Sequence, residues 1–215
     1  MNQFMIECRA CGVFSSRLDN GGKSIAEGSV EIPPAREDDP WATLAIVAYG
    51  KTADTLLAAA AGQVLRLEGS IKIERDQPPV LNVERASLLR DLPNAALSLA
   101  MLVGRAGRDP EAQYFDSGNC VAKFSLAVNR RSRDDAPDWF NLEIWGKQAQ
   151  VAADYVRKGS QVAIVGSLKV DRWTDRTTGE ERTKPVIKVD RFEFVGSRRD
   201  AEQQQAPAPA TGGPL

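Results

Sequence analysis

Around Trp139 the chain alternates: Phe140, Leu142 and Ile144 are apolar, with Asn141 and Glu143 between them. That period of two marks a half-buried strand. Successive side chains of a strand point to opposite faces. The apolar three therefore belong to the core, and Trp139, Asn141, Glu143 and Trp145 share the other face. Aromatic rings on an open sheet face suit stacking on nucleic-acid bases, each stack contributing about 1–3 kcal/mol with little regard to sequence. Between 162 and 173 the same parity puts Val162, Ile164, Leu168 and Val170 inside, and Lys169 and Trp173 outside. Arg130, Arg131 and Arg133 precede the first of these strands; Arg176, Arg182 and Lys184 follow the second. Cations neutralise phosphates, so these residue types together point to a single-stranded nucleic acid. Asp134, Asp135 and Asp138 stand near the arginines and offset part of their charge.

Composition narrows the chemistry further. None of the 215 residues is histidine, which removes Ser-His, Cys-His and His-metal chemistry and weighs against hydrolases and metalloenzymes. Three cysteines and no visible secretory signal fit a reducing compartment, hence a cytoplasmic protein without a disulfide framework. No apolar run approaches the roughly 18 residues of a membrane span. Cys8 and Cys11 resemble half a zinc site, but zinc wants four ligands and only Cys120 remains. Gly50-Lys51-Thr52 resembles the end of a phosphate-binding loop. That loop needs glycine where Ala45 stands, and Gly22-Lys23-Ser24 fails likewise at Arg17. No catalytic residue, metal or cofactor is expected. The net charge of −1 also hides a division: residues 1–97 hold 10 basic and 13 acidic side chains, residues 98–199 hold 18 and 14. Only Phe4, Phe14, Trp41 and Tyr49 of the aromatics lie in the first part.

The chain is a duplication. Glu68-Gly-Ser-Ile-Lys-Ile-Glu-Arg75 returns as Val165-Gly-Ser-Leu-Lys-Val-Asp-Arg172, and Pro79-Val-Leu-Asn-Val-Glu-Arg85 returns as Pro185-Val-Ile-Lys-Val-Asp-Arg191. The offset grows from 97 to 106 between those segments, so the second copy carries nine extra residues there, a basic loop rooted at Trp173. The second copy reads as strands near 100–104, 122–130 and 139–145, a helix over 147–158 burying Val151, Tyr155 and Val156, then strands over 161–170 and 185–195. The first copy has the same order, with its helix over 51–61. Three strands, a helix and two strands on about 100 residues fit a five-stranded Greek-key OB barrel. The expected architecture is therefore all-β with one short helix per domain: two tandem OB-fold barrels plus a disordered C-terminal tail. The boundaries are 1–90 for the first barrel, 91–97 for a linker, 98–197 for the second and 198–215 for the tail, whose composition cannot build a core.

Leu102-Val-Gly-Arg-Ala-Gly-Arg-Asp-Pro-Glu111, Phe124-Ser-Leu-Ala-Val-Asn-Arg130, Asp138-Trp-Phe140 through Ile144-Trp-Gly-Lys147, Tyr155-Val-Arg-Lys-Gly-Ser-Gln-Val162 and Gly166-Ser-Leu-Lys-Val-Asp-Arg-Trp-Thr-Asp175 together resemble the bacterial single-stranded DNA-binding protein family. The resemblance covers nearly all of 99–195. It implies an OB fold, sequence-tolerant binding of single-stranded DNA in replication, recombination and repair, association with the nucleoid, and oligomers presenting four OB folds. The family's stacking aromatics fall on Trp139, Trp145 and Trp173. Arg105, inside the first of these segments, completes the cations of the site with Arg130, Arg131, Arg133, Lys169, Arg176 and Arg182. A further family aromatic falls near Ser132, which cannot stack, and Asp171 stands where the family is commonly basic; both imply weaker binding. The acidic, phenylalanine-ended tip that recruits replication and repair proteins is missing from Gly213-Pro-Leu215.

The first copy resembles divergent cyanobacterial versions of the domain. Parity puts Leu44, Ile46 and Ala48 inside and leaves Thr43, Ala45, Val47 and Tyr49 outside with Trp41, a face without charge that suits pairing with protein. A homodimer would supply four barrels, the first copy serving assembly and the second binding DNA. Two other readings fit the residues: a single-stranded RNA-binding OB protein, and an assembly adaptor whose outer tryptophans bind protein.

Overall fold

Alternating apolar residues give each copy its strands, and the computed structural model describes them over residues 1–34, 41–74, 77–91, 96–130, 136–174, 179 and 181–195, with backbone alone at 170, 172–174 and 181–183. The first copy comprises β1 (Asn2–Ala10), β2 (Ser15–Leu18), β3 (Ser24–Ile32), β4 (Ala42–Tyr49), α1 (Lys51–Leu57), β5 (Val64–Lys72) and β6 (Val80–Leu89). The second repeats the order with β7 (Ser98–Ala106), β8 (Glu111–Tyr114), β9 (Cys120–Val128), β10 (Asp138–Trp145), α2 (Lys147–Tyr155), β11 (Gln161–Thr174) and β12 (Glu181–Phe194). Five strands close in each copy, β1-β3-β4-β6-β5 returning to β1 and β7-β9-β10-β12-β11 returning to β7. Only β4–β6 and β10–β12 run parallel among these pairs. These are the two expected OB barrels. The short hairpin strands β2 and β8 were not legible, because all their residues are exposed and no apolar alternation marks them.

The cores agree with parity: Phe140, Leu142 and Ile144, then Val162, Ile164 and Leu168, and in the first copy Leu44, Ile46 and Ala48 are all buried. The Val170 side chain and the whole of the tail lie outside the described residues. Both barrels break register at one glycine, Gly69 in β5 and Gly166 in β11. A Cβ there would sit 2.0 Å from the Asn82 carbonyl oxygen or 2.2 Å from that of Lys188, so the partner strand passes where a side chain would be. The nine extra residues of the second copy lengthen a hairpin: β11 and β12 have 14 residues each, against 9 and 10 in β5 and β6.

Helix α2 turns a different face inward than its hydrophobicity predicts. Ala149, Ala152 and Val156 are buried, while Val151 and Tyr155 point outward. The helix lies against β8, β9 and β10, and small residues allow that approach. Arg157 folds back to donate to the carbonyls of Ala153, Asp154 and Val156 at 2.8–2.9 Å, satisfying the helix end.

The first copy's outer face also departs from expectation. Val47 is buried, and the face is not without charge: the Arg9 guanidinium lies 4.8 Å from the Trp41 ring centroid, and Arg17 pairs with Glu27 at 2.6 Å.

The copies join through β1 and β7, which pair antiparallel from Asn2–Leu102 to Ile6–Ser98. β7 starts 96 residues after β1, so this pairing is reciprocal, each strand meeting its own counterpart about the Phe4–Ala100 pair. Phe4 fills the space beside Ala100 and reaches the Phe140 ring of the other copy at 5.8 Å, so the two cores are continuous.

Two buried carboxylates tie the junction. Glu7 accepts from the Leu97 amide at 2.9 Å and from Arg66 at 2.6 Å, holding the incoming connection. The Leu97 amide, with Arg66 beside it, keeps the Glu7 carboxyl below its usual 4.5 despite burial. A lowered folded-state pKa gives stability that is fully present above the unfolded value and is lost as pH falls through the folded one. Wild type should therefore lose stability below about pH 4.5 more steeply than Glu7→Gln, checked by denaturant unfolding at stepped pH. Equal acid slopes would show that another group governs the loss.

Asp138 is the second. It is 3% exposed, and Oδ1 accepts from the Arg130 Nη2 at 2.8 Å and Nε at 3.1 Å and from the Ile73 amide at 2.8 Å. Oδ2 accepts from Asn2 Nδ2 at 3.3 Å, and Arg130 also donates to the Ile73 carbonyl at 3.1 Å.

Candidate nucleic-acid interface

Strand β10 presents the tryptophans. Its burial alternates so that Trp139 is 47% and Trp145 45% exposed, on the face opposite the core trio. Six residues of extended strand separate them by about 20 Å. Register adds the neighbours: Ala127, Ser125, Lys123 and Val121 of β9 stand opposite Trp139, Asn141, Glu143 and Trp145. On the other side Val186 and Lys188 of β12 align with Asn141 and Glu143, and Lys169 of β11 aligns with Val186. Glu143 is mostly covered and accepts from Lys123 at 2.9 Å, with Lys188 opposite it in register. This is a shallow sheet face with a ring at each end and cations between.

Trp139 lies against the turn after β7. A Cβ on Gly107 would fall 2.3 Å from Cζ3 of that ring, so only a glycine leaves room for the ring there. Gly107→Ala should displace the ring, costing about 1–3 kcal/mol of overpacking and weakening ligand stacking. A shift of tryptophan emission with a matching loss of oligonucleotide affinity would register it; unchanged emission would mean the turn moves instead.

The other candidate residues divide. Arg105 is exposed and donates to the Gly159 carbonyl at 3.0 Å. Lys169 pairs with Asp171 at 2.7 Å, so the acidic residue offsets a cation on this face. Arg130, read from the sequence as a phosphate contact, has an 18% exposed side chain engaged with Asp138 and Ile73 at the junction. It lies two residues past the end of β9, beside the other copy, which local sequence cannot reveal. Trp173 and Arg182 face each other across the β11–β12 ladder, their side chains outside what is described. Arg131, Arg133 and Arg176 lie outside the described residues. Sequence reasoning missed Lys123, Lys188 and Phe115. Strand parity marks Lys123, which stands between buried Ala122 and Phe124. Cys8 is in the core, where burial pushes its thiol up to about 12, and Cys11 is exposed, so the two do not converge.

Residues 97–195, the second copy, match the profile of the Single-strand binding protein family. The single-stranded DNA-binding protein of Thermosynechococcus vestitus is 58% identical over 112 residues, 52% of this chain and 93% of that relative. The chain belongs to the single-strand binding protein family. Another family relative, single-stranded DNA-binding protein 1 of a Synechocystis species, is 60% identical over 101 residues, 46% of this chain and 84% of its own length. Such relatives match about one copy's worth of this chain. The crystal structure of the wild-type single-stranded DNA binding protein from Thermus aquaticus, at 20% identity, shares the fold across both copies: the TM-score is 0.69, covering 92% of this chain and 94% of that one. Among the described residues no helix is long and apolar enough to cross a membrane.

Proposed function

We propose that this family member binds single-stranded DNA without regard to sequence and protects it in replication, recombination and repair. It is a binding protein, not an enzyme. The exposure of Trp139 and Trp145 at the two ends of one cation-bearing sheet face carries the reading. Bases stack on the rings while the phosphates meet Lys123, Lys188 and Arg105, with Arg131, Arg133, Arg176, Arg182 and Trp173 contributed by the flanking connections. Arg130 serves the junction. Competition among poly-dT, poly-U and duplex DNA for the full chain tests this. Preference for poly-dT is expected; preference for poly-U would make RNA the ligand, and no binding would leave the adaptor reading. Affinity should also fall with salt. Arg131→Ala with Arg133→Ala should flatten the logarithmic slope by about 0.7 for each phosphate that is no longer neutralised. An unaltered slope would remove these arginines from the interface.

The second copy, residues 98–197, carries most of the binding in this proposal, and the first, residues 1–90, serves assembly. Where the second copy presents Lys123, the first has Glu27, which already pairs with Arg17. The chain forms a homodimer through the outward side of the junction sheet rather than the Trp41 face. There Met5 stands opposite Leu99 and Met101 opposite Val165, an apolar set at least partly open to solvent. Light scattering should give twice the chain mass, and Met101→Glu with Val165→Glu should halve it.

A further inference from the structure

The turn from β8 to β9 is built twice, once in each copy, and the copies differ at one telling position. In the first, Asp19 opens the turn: its amide donates to the Lys23 carbonyl, its carbonyl accepts from Gly22, and its carboxylate accepts from the amides of Gly21 and Lys23 at 2.8 Å each. In the second copy Phe115 makes the same two backbone bonds, with Asn119 and Gly118, at 2.9 Å each. Its side chain cannot cap. A residue that locks the turn has thus been exchanged for one that gives up two hydrogen bonds and leaves an apolar ring 38% exposed. Neither turn chemistry nor core packing calls for that ring.

Its placement does have a use. The Phe115 ring lies 5.9 Å from the Trp145 ring, centroid to centroid, with the planes 11° apart. Both rings are held from the backbone. Phe115 stands in the two-bond turn, and Trp145 precedes Gly146, whose amide donates to the Cys120 carbonyl at 2.8 Å beside the same hairpin. Two stacked, nearly parallel rings, each partly open to solvent, make a longer stack than Trp145 alone. At the corresponding positions the first copy has Asp19 and Tyr49, a carboxylate and a single ring, which cannot form such a pair.

We propose that Phe115 is a further base-stacking residue, continuing the DNA path from Trp145 onto the β8–β9 turn. This rests on the single-stranded DNA reading given above. A preorganised ring loses little entropy on binding, so its stacking energy appears almost fully in affinity.

The test measures binding of the full chain to oligo-dT of increasing length for wild type, Phe115→Ala, Phe115→Asn, Phe115→Trp and Trp145→Ala. Loss of one stacked base should weaken binding roughly 5- to 150-fold in Phe115→Ala and in Phe115→Asn, and Phe115→Trp should restore it. Phe115→Asn supplies the turn with a neutral side-chain acceptor, so its melting temperature should hold or rise while affinity falls. A merely structural ring would give the opposite pattern. Wild-type affinity in both Phe115→Ala and Phe115→Asn, with Trp145→Ala weakened, would overturn the proposal and leave the binding reading standing. If Trp145→Ala also binds oligo-dT as wild type does, the stacking reading itself fails and this extension with it.

Discussion

Asp138→Ala should destabilise the protein by about 3–5 kcal/mol, because it strands a mostly buried guanidinium and an amide that have given up water for one carboxylate. For a chain of this size that corresponds to a fall of roughly 6–20 °C in melting temperature. Arg130 and Ile73 both lose this acceptor, and they belong to different copies, so the loss is felt at the junction. Arg130→Ala should destabilise in the same sense, leaving the carboxylate with the Ile73 amide and Asn2. Replacing both, as Arg130→Met with Asp138→Leu, should recover the part of the loss that comes from the unpaired ion, since an apolar pair of similar volume avoids the cost of burying charge, while the Ile73 amide still lacks its acceptor. Thermal and denaturant unfolding of the three variants provide the comparison. A melting temperature unchanged in Asp138→Ala would mean that the network has no net worth in the folded protein.

Trp139→Ala and Trp145→Ala should each weaken DNA binding by roughly 1–3 kcal/mol, with the double variant close to their sum because the rings stand about 20 Å apart. The fold should survive both, since neither ring belongs to the core. Trp139→Ala takes the ring off Gly107 but leaves the strand pairing to Ala127 in place. The measurement is a fluorescence titration with poly-dT beside circular dichroism of the free proteins. Variants that no longer fold would return these rings to the core. Folded variants that bind normally would take them out of the interface.

The barrels and the tryptophan face were legible because strand parity is a local signal: two strong rings flank three apolar residues at a spacing of two. The buried face of α2 was misread for a physical reason. Hydrophobicity favours Val151 and Tyr155, yet where a helix lies close to a sheet the inward positions go to small residues, here Ala149 and Ala152. Val47 carries the opposite error, an outer-face residue covered by its surroundings. The junction was beyond reach. Asp138 looks like the last member of an acidic run that dilutes the arginines, but its partners Ile73 and Asn2 lie 65 and 136 positions away. Nothing in the spacing of Arg130 to Asp138 says that these two residues close the base of a connection and fasten it to another barrel. The Phe115–Trp145 pair was missed similarly, because the ring stands in a turn where no periodicity marks it.

The reciprocal β1–β7 pairing joins two barrels of one polypeptide, and covalent linkage changes what governs it. Two separate single-barrel chains meeting through such strands would part on dilution, their pairing set by how many copies the cell makes. Here each strand meets its partner at a fixed effective concentration supplied by the connection after β6. The pairing is therefore independent of expression level. The two sides are also released from having to be identical: one keeps Phe4 where the other keeps Ala100, and the Asn2 side chain reaches Asp138 while the hydroxyl of its counterpart Ser98 bonds the Leu168 backbone. A symmetric association of identical chains would impose every change twice. Linkage lets one barrel change without altering the other.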